Sequence, residues 1–95
     1  MNKYEITFIV KPDMEEAEIK SNAETLKKAL TDKKAKIVEE KEMGQKELAY
    51  EIKKFKTGFY FFYVVEASSE AIEEFNRVAK INENIIRHLV VRVED

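Results

Sequence analysis

The chain has 95 residues, 44% of them hydrophobic, with six phenylalanines and four tyrosines. Length and composition are those of one folded domain, and they exclude a disordered chain. Cysteine is absent, which excludes disulfides and thiolate metal sites and fits a reducing cytoplasm. The 17 basic and 19 acidic residues give a net charge of −2. This balance argues against a protein that binds nucleic acid through its overall electrostatic field, so any RNA contact needs a local basic patch or a partner.

The N-terminal third predicts a strand and then a helix. Residues 3–10 alternate in hydrophobicity, which predicts a strand, and residues 11–13 end it with a proline. Asp13 followed by Glu16 is a capping-box pattern, which predicts that the helix starts there. We expect the helix to end near Asp32. Its apolar stripe comprises Ile19, Ala23, Leu26 and Leu30.

The middle of the chain predicts two strands joined by a turn. The first covers residues 36–52, and Gly44 within its charged part indicates a bulge or bend. Residues 53–57 are expected to form a basic turn. Gly58 then opens an aromatic strand that runs to Val65.

Because no segment of the chain approaches the length of a membrane span, we expect no membrane partner.

The last third predicts a helix and a final strand. Ser68 or Ser69 can cap the helix, which buries Ile72, Phe75 and Val78 or Ala79. Residues 82–84 form a turn, and residues 85–93 the last strand.

The resulting order is β-α-β-β-α-β. Two right-handed β-α-β crossovers joined by a hairpin predict an α+β, ferredoxin-like fold, with a four-stranded antiparallel sheet and both helices on one face. We expect residues 1–95 to form a single domain of this kind.

The face of the sheet that the helices leave open is expected to be apolar. A solvent-exposed face of a sheet normally carries polar residues at every second position of each strand. The third strand instead carries large apolar residues at both odd and even positions, and so on both faces. The last strand is similar, with Leu89 and Val91 opposite Ile86 and Val90, and Ile9 adds to the open face. Contiguous apolar surface of this kind indicates a macromolecular partner. An unused apolar face and a dimer seam are the alternatives.

Catalytic and metal sites find little support in the sequence. His88 is the only histidine, and its apolar neighbours predict a packed or half-exposed side chain. Adjacent glutamates on a helix or strand point in different directions, so they do not form an acid–base pair. They are expected to be solvent-exposed. Two isolated glycines cannot cradle a phosphate, and the turn at residues 11–13 lacks the glycine-rich loop of the acylphosphatases, which share the predicted fold. We therefore expect no enzyme, no cofactor, no metal and no small-molecule substrate.

Two observations favour RNA. Residues 56–63 loosely resemble the RNP1 signature of RNA-recognition-motif domains, in which strand aromatics stack on bases, although the first strand lacks the matching RNP2 pattern. A single-stranded RNA-binding module of that type is the alternative function. Basic residues near the strands also suit phosphate contacts, with ordinary solubilising charge as the alternative.

Three segments carry a family resemblance over essentially the whole chain. They are the opening Lys3-Tyr4-Glu5, the run Gly44-Gln45-Lys46-Glu47-Leu48-Ala49-Tyr50-Glu51-Ile52 with Lys56-Thr57-Gly58-Phe59-Tyr60 after it, and the ending Asn84-Ile85-Ile86-Arg87-His88-Leu89-Val90-Val91-Arg92. In this order they resemble the bacterial small-subunit ribosomal protein S-six family. The resemblance implies a structural protein of the 30S platform in the cytoplasm, which binds the central domain of small-subunit rRNA together with ribosomal protein S eighteen.

The resemblance also implies which residues make these contacts. The residues expected to contact rRNA are Lys3, Tyr4, Lys46, Lys54, Lys56, Arg87 and Arg92. The residues expected to contact the protein partner are Tyr60, Phe62, Leu89 and Val91. Arg87 lies among apolar neighbours, so we expect it to be buried or half-buried and to need an anion. Glu5 or Glu66 could supply that anion across the strands, and an rRNA phosphate is the preferred candidate.

Overall fold

The computed structural model describes residues 1–93 and has the predicted α+β, ferredoxin-like architecture. Its elements are β1 (Asn2–Val10), α1 (Glu16–Thr31), β2 (Lys36–Ile52), β3 (Phe55–Ala67), α2 (Ser69–Ile81) and β4 (Ile85–Val93). The strands form one antiparallel sheet in the order β2-β3-β1-β4. Both edges of the sheet are long strands, and β1 lies inside it between the two strands farthest from it in sequence.

The first helix starts two residues later than a cap at Asp13 requires. Glu15 occupies the N-cap position, and no side chain caps the helix there. Its carbonyl accepts hydrogen bonds from the backbone N–H groups of Glu18 and Ile19. The Asp13 carboxylate instead lies 3.8 Å from the Lys11 ammonium, and Met14 packs against the core. The capping-box prediction was therefore wrong, because packing of Met14 and the ion pair at Asp13 delay the first turn.

The other helix boundaries follow their sequence signals. Helix α1 ends at Thr31 with Asp32 as its C-cap, close to the expected end, and buries the predicted stripe together with Ala29. Ser68 caps α2, since its hydroxyl accepts a hydrogen bond of 3.2 Å from the Ala71 N–H. A capping serine typically contributes about 1 kcal/mol to stability. The buried face of α2 comprises the predicted Ile72, Phe75 and Ala79 together with Ala71, which the spacing did not predict.

The core lies between the helices and one face of the sheet. Its centre is Phe8, which is fully buried. The Phe8 ring stacks on Phe61 at 5.1 Å between centroids and meets the edge of Tyr63 at 5.4 Å. Phe75 of α2 packs on the same ring at 6.3 Å. Aromatic contacts of this geometry add to the free energy of area burial. They join both central strands to a helix and fix which face of the sheet is covered.

The β2–β3 hairpin differs from the expected turn. Its tip is only Lys53 and Lys54, both with positive φ (51° and 71°), and β3 already begins at Phe55. The predicted five-residue turn was too long, because two left-handed residues close an antiparallel hairpin whose twist matches its strands. The prediction of a bulge at Gly44 is confirmed by its φ of 80° and by the register shift between Glu42 and Gly44.

Gly58 allows β3 to approach β1 closely, and replacing it should destabilise the fold. A Cβ atom at Gly58 would lie 2.3 Å from Cγ2 of Ile9, which is buried and β-branched and so has little freedom to move. We expect Gly58→Ala to lower the free energy of unfolding by about 1–3 kcal/mol in a urea titration. The loss should be smaller in an Ile9→Ala background. Equal losses in both backgrounds would show that the contact with Ile9 is not the cause.

Candidate nucleic-acid interface

The strand register defines the surface that the helices leave uncovered, which we call the open face. Directly paired residues of an antiparallel sheet point to the same side. Three rows of paired residues cross this face from β2 to β4. They are Gly44, Tyr60, Ile9 and Arg87; Lys41, Phe62, Thr7 and Leu89; and Glu39, Val64, Glu5 and Val91. All four predicted partner-contacting residues therefore lie on the open face.

Exposure on the open face depends on the position of the strand. Leu89 and Val91 are 53% and 46% exposed, because β4 is an edge strand. Tyr60 and Phe62 are only half-exposed, since β3 has neighbours on both sides. The aromatic residues of the open face are therefore less accessible than the aliphatic ones.

The apolar surface is also interrupted. Thr7 lies between Phe62 and Leu89, and Glu5 lies between Val64 and Val91. Instead of one contiguous patch, the open face has an aromatic strip on β3 and an aliphatic strip on β4. A shallow depression of about 190 Å³ lies between the strips at one end; it is lined by Thr7, Ile9, Tyr60, Arg87, His88 and Leu89.

Basic residues gather at the hairpin end of the open face. Lys46 is paired with Gly58, and the alternation along β3 puts Lys56 on the same side. Arg87 lies in the neighbouring row, and Lys54 lies at the hairpin tip. These four predicted rRNA-contacting residues are thus brought to one end of the sheet. Lys3 is on the open face too, but six residues along β1 from Ile9, a separation of about 20 Å.

Two predicted rRNA-contacting residues lie elsewhere. Tyr4 belongs to the core, with 9% of its surface exposed, because it alternates with Ile6 and Phe8 on the helix-covered side. A buried ring is not available to contact rRNA, so the structure contradicts the prediction made for Tyr4. Arg92 pairs with Tyr4 in the ladder and so lies on the same side. It is exposed there and donates a 3.1 Å hydrogen bond to the Asn2 side chain.

Arg87 is exposed, contrary to the expectation of a half-buried side chain. No carboxylate of residues 1–93, including Glu5 and Glu66, lies within 4.0 Å of its guanidinium. Its partner is the Tyr50 hydroxyl, which accepts a 2.8 Å hydrogen bond from Nη1. Sequence reasoning missed Tyr50, because the contact links residues 37 positions apart across the sheet. Lys3, Lys46, Lys54, Lys56 and Arg92 also have no carboxylate partner among residues 1–93.

His88 is half-buried on the opposite side of β4 from Arg87. Its ring meets the edge of Phe75 with 6.0 Å between centroids. Burial, and secondarily the charge of Lys80, lowers the pKa of the His88 imidazole. The folded protein therefore favours the neutral ring, as expected for a packed histidine. Residues 1–93 contain no cluster of side chains suited to hold a metal ion.

Comparison with known proteins identifies the family. Residues 3–92 match the family model described as Ribosomal protein S6. The chain belongs to the ribosomal protein S6 family. It is 51% identical to the small ribosomal subunit protein bS6 of Shouchella clausii (strain KSM-K16) over 94 residues, which cover 99% of both chains. The crystal structure of 30S ribosomal protein S6 from Thermotoga maritima superposes with a TM-score of 0.92 at 31% identity, covering 97% of this chain and 87% of that one.

Membership in the S6 family confirms the resemblance that the three segments indicated. The protein is a structural component of the small subunit of the cytoplasmic ribosome and not an enzyme. Among residues 1–93, no helix is long and apolar enough to cross a membrane.

Proposed function

We propose that this S6 protein binds the central domain of small-subunit rRNA, at the platform, together with ribosomal protein S eighteen, and that the open face serves both contacts. The observation that carries this proposal is the division of the open face along its length. Unpaired basic side chains lie at the hairpin end, whereas exposed aliphatic side chains and carboxylates lie farther along. Such a surface suits two partners of different chemistry.

The hairpin end suits RNA. Lys46, Lys54, Lys56 and Arg87 present four cations that no carboxylate of residues 1–93 neutralises. Lysine and arginine beside a flat strand surface suit phosphate oxygens, and the release of counterions drives such contacts. We retain Lys3 as a peripheral contact on the same face and Arg92 as a contact beyond it; Tyr4 is not proposed.

The other end suits a basic protein. Leu89 and Val91 are exposed apolar residues at a sheet edge, and Glu5, which no cation of residues 1–93 neutralises, lies beside Val91. A carboxylate beside an apolar strip complements a positively charged partner and steers its approach. A basic partner also supplies cationic surface for the RNA, which fits a net charge of −2 on this chain.

An RNA-recognition-motif-like module remains the second candidate, because Tyr60 and Phe62 do lie on the open face. Aromatic side chains in that position stack on bases in such modules. On β1, however, Ile9 and Thr7 lie beside them where a second aromatic residue would be needed. The two functions differ in one measurable respect. The module would bind short single-stranded RNA alone, whereas the ribosomal function requires the partner protein for tight binding.

The test is the salt dependence of binding to an rRNA central-domain fragment, with and without protein S eighteen. We expect Arg87→Ala to weaken binding and to reduce the log–log salt slope by about 0.9 for a duplex phosphate or about 0.7 for a single-stranded one. Arg77→Ala is the matched control, since Arg77 lies on α2 and is paired with Glu74. The control should keep the wild-type slope. Identical slopes for wild type and Arg87→Ala, with lost stability in the variant, would make Arg87 a structural residue.

A further inference from the structure

The β2 limb of the hairpin leaves the regular ladder near its tip. Glu47 pairs with Thr57 and Ile52 pairs with Phe55, so residues 48–51 all lie opposite Lys56 alone. Four residues facing one make a bulge, in which the surplus backbone is not held in register and side chains are re-aimed. The bulge therefore frees Tyr50 from the alternation that governs the rest of β2.

Freed in this way, the Tyr50 side chain reaches across to Arg87. The hydroxyl accepts a 2.8 Å hydrogen bond from the Arg87 guanidinium, although β2 and β4 are the opposite edges of the sheet. The Tyr50 side chain is otherwise open to solvent, with 62% of the residue exposed. Burial of its ring thus explains little of its placement, and the contact with Arg87 is the specific interaction that it makes.

The hydrogen bond leaves most of the binding capacity of Arg87 unused. A guanidinium has five N–H donors in a rigid planar fork, and Tyr50 engages one nitrogen only. A neutral hydroxyl also leaves the positive charge uncompensated. The result is an arginine whose orientation is fixed but which can still donate a pair of hydrogen bonds to a phosphate.

We propose that Tyr50 is a positioning residue for RNA binding: its hydroxyl orients Arg87 and ties the bulged limb of the hairpin to it, so that the guanidinium is held ready to bind a phosphate. This inference rests on the proposed function. Ordering a long, flexible side chain before the ligand arrives reduces the entropy that binding must otherwise lose. The same hydrogen bond connects two parts of the site that come from opposite edges of the sheet.

The test is a double-mutant cycle with Tyr50→Phe, which removes the hydroxyl and keeps the ring. In the presence of protein S eighteen, we expect Tyr50→Phe to weaken binding of the rRNA fragment about fivefold, the typical worth of one hydrogen bond. The Arg87→Ala background is the matched control, and in it Tyr50→Phe should have no effect. The ¹⁵N signal of the Arg87 Nε–H group should also broaden or shift in free Tyr50→Phe, with an unchanged unfolding midpoint.

The possible outcomes separate the two proposals. Equal losses from Tyr50→Phe in both backgrounds, or an unaltered Arg87 signal, would overturn the positioning role while leaving RNA binding intact. Tighter binding by Tyr50→Phe would make the hydroxyl a competitor of the phosphate and would overturn it as well. Absence of binding by the wild-type protein with its partner would overturn the proposed function, and the positioning role with it.

Discussion

The Phe8→Ala variant should lose about 3–5 kcal/mol of unfolding free energy, the usual cost of deleting a fully buried aromatic ring. Phe8 is 0% exposed and contacts the rings of Phe61, Tyr63 and Phe75. Its removal would leave a cavity between the two central strands and α2. Because small domains are stable by only about 5–15 kcal/mol in total, such a loss leaves little reserve. The loss of unfolding free energy is measured from the midpoint and slope of urea unfolding.

Leu89→Ala provides the control for this prediction. Leu89 also carries a large apolar side chain in the sheet, but it lies on the open face and is 53% exposed. Truncation at such a site normally changes stability by no more than about 0.5 kcal/mol. Similar losses for the two variants would mean that the open face is as well packed as the core, and that the covered and uncovered faces are wrongly assigned.

Leu89→Glu should weaken binding of the protein partner by about 2 kcal/mol or more, roughly 30-fold, while barely affecting the fold. A carboxylate at this position would be solvated in the free protein but would have to lose water, unpaired, inside an apolar interface. Phe62 is a less clean site for the same test, because it is half-buried in the free protein. A charge there would cost stability as well as affinity. Titration calorimetry with protein S eighteen measures the effect.

Ile81→Glu is the matched control for Leu89→Glu. Ile81 is an equally apolar residue, 67% exposed, at the end of α2 on the helix side of the molecule. The Ile81→Glu variant should bind the partner with wild-type affinity. If Leu89→Glu binds as tightly as Ile81→Glu, the partner does not cover the aliphatic strip, and the interface must lie on another surface.

Periodicity in the sequence was enough to predict most of the fold. The limits of β4 and β2 agree with the predicted 85–93 and 36–52, because alternation and the flanking turn residues are both local signals. The Ser68 cap is local as well. The hairpin tip and the start of α1 were wrong, since the register of a bulged hairpin and the packing of Met14 depend on residues distant in sequence.

The candidate site was less predictable, for two different reasons. The burial of Tyr4 could be predicted from the sequence, because Tyr4 alternates with Ile6 and Phe8 and so lies on the buried side of β1. The same parity argument puts Glu5 and Thr7 on the open face, where they divide the apolar surface. The hydrogen bond of Tyr50 with Arg87 carries no such local signal, since a bulge breaks the alternation of β2.

The position of β1 inside the sheet has a consequence for biosynthesis. Its two neighbours are β3 and β4, so β1 cannot pair until residues 55–67 are made, and its second side stays open until residue 93 is made. Pairing between such distant segments incurs a large loop-closure cost and folds slowly compared with helical proteins. The nascent chain therefore carries β1 with no strand partner until β3 has been made, and with one side unpaired until β4 has been made. The complete sheet is expected to form only after β4 has left the ribosome, and chaperone contact would first be needed at residues 2–10.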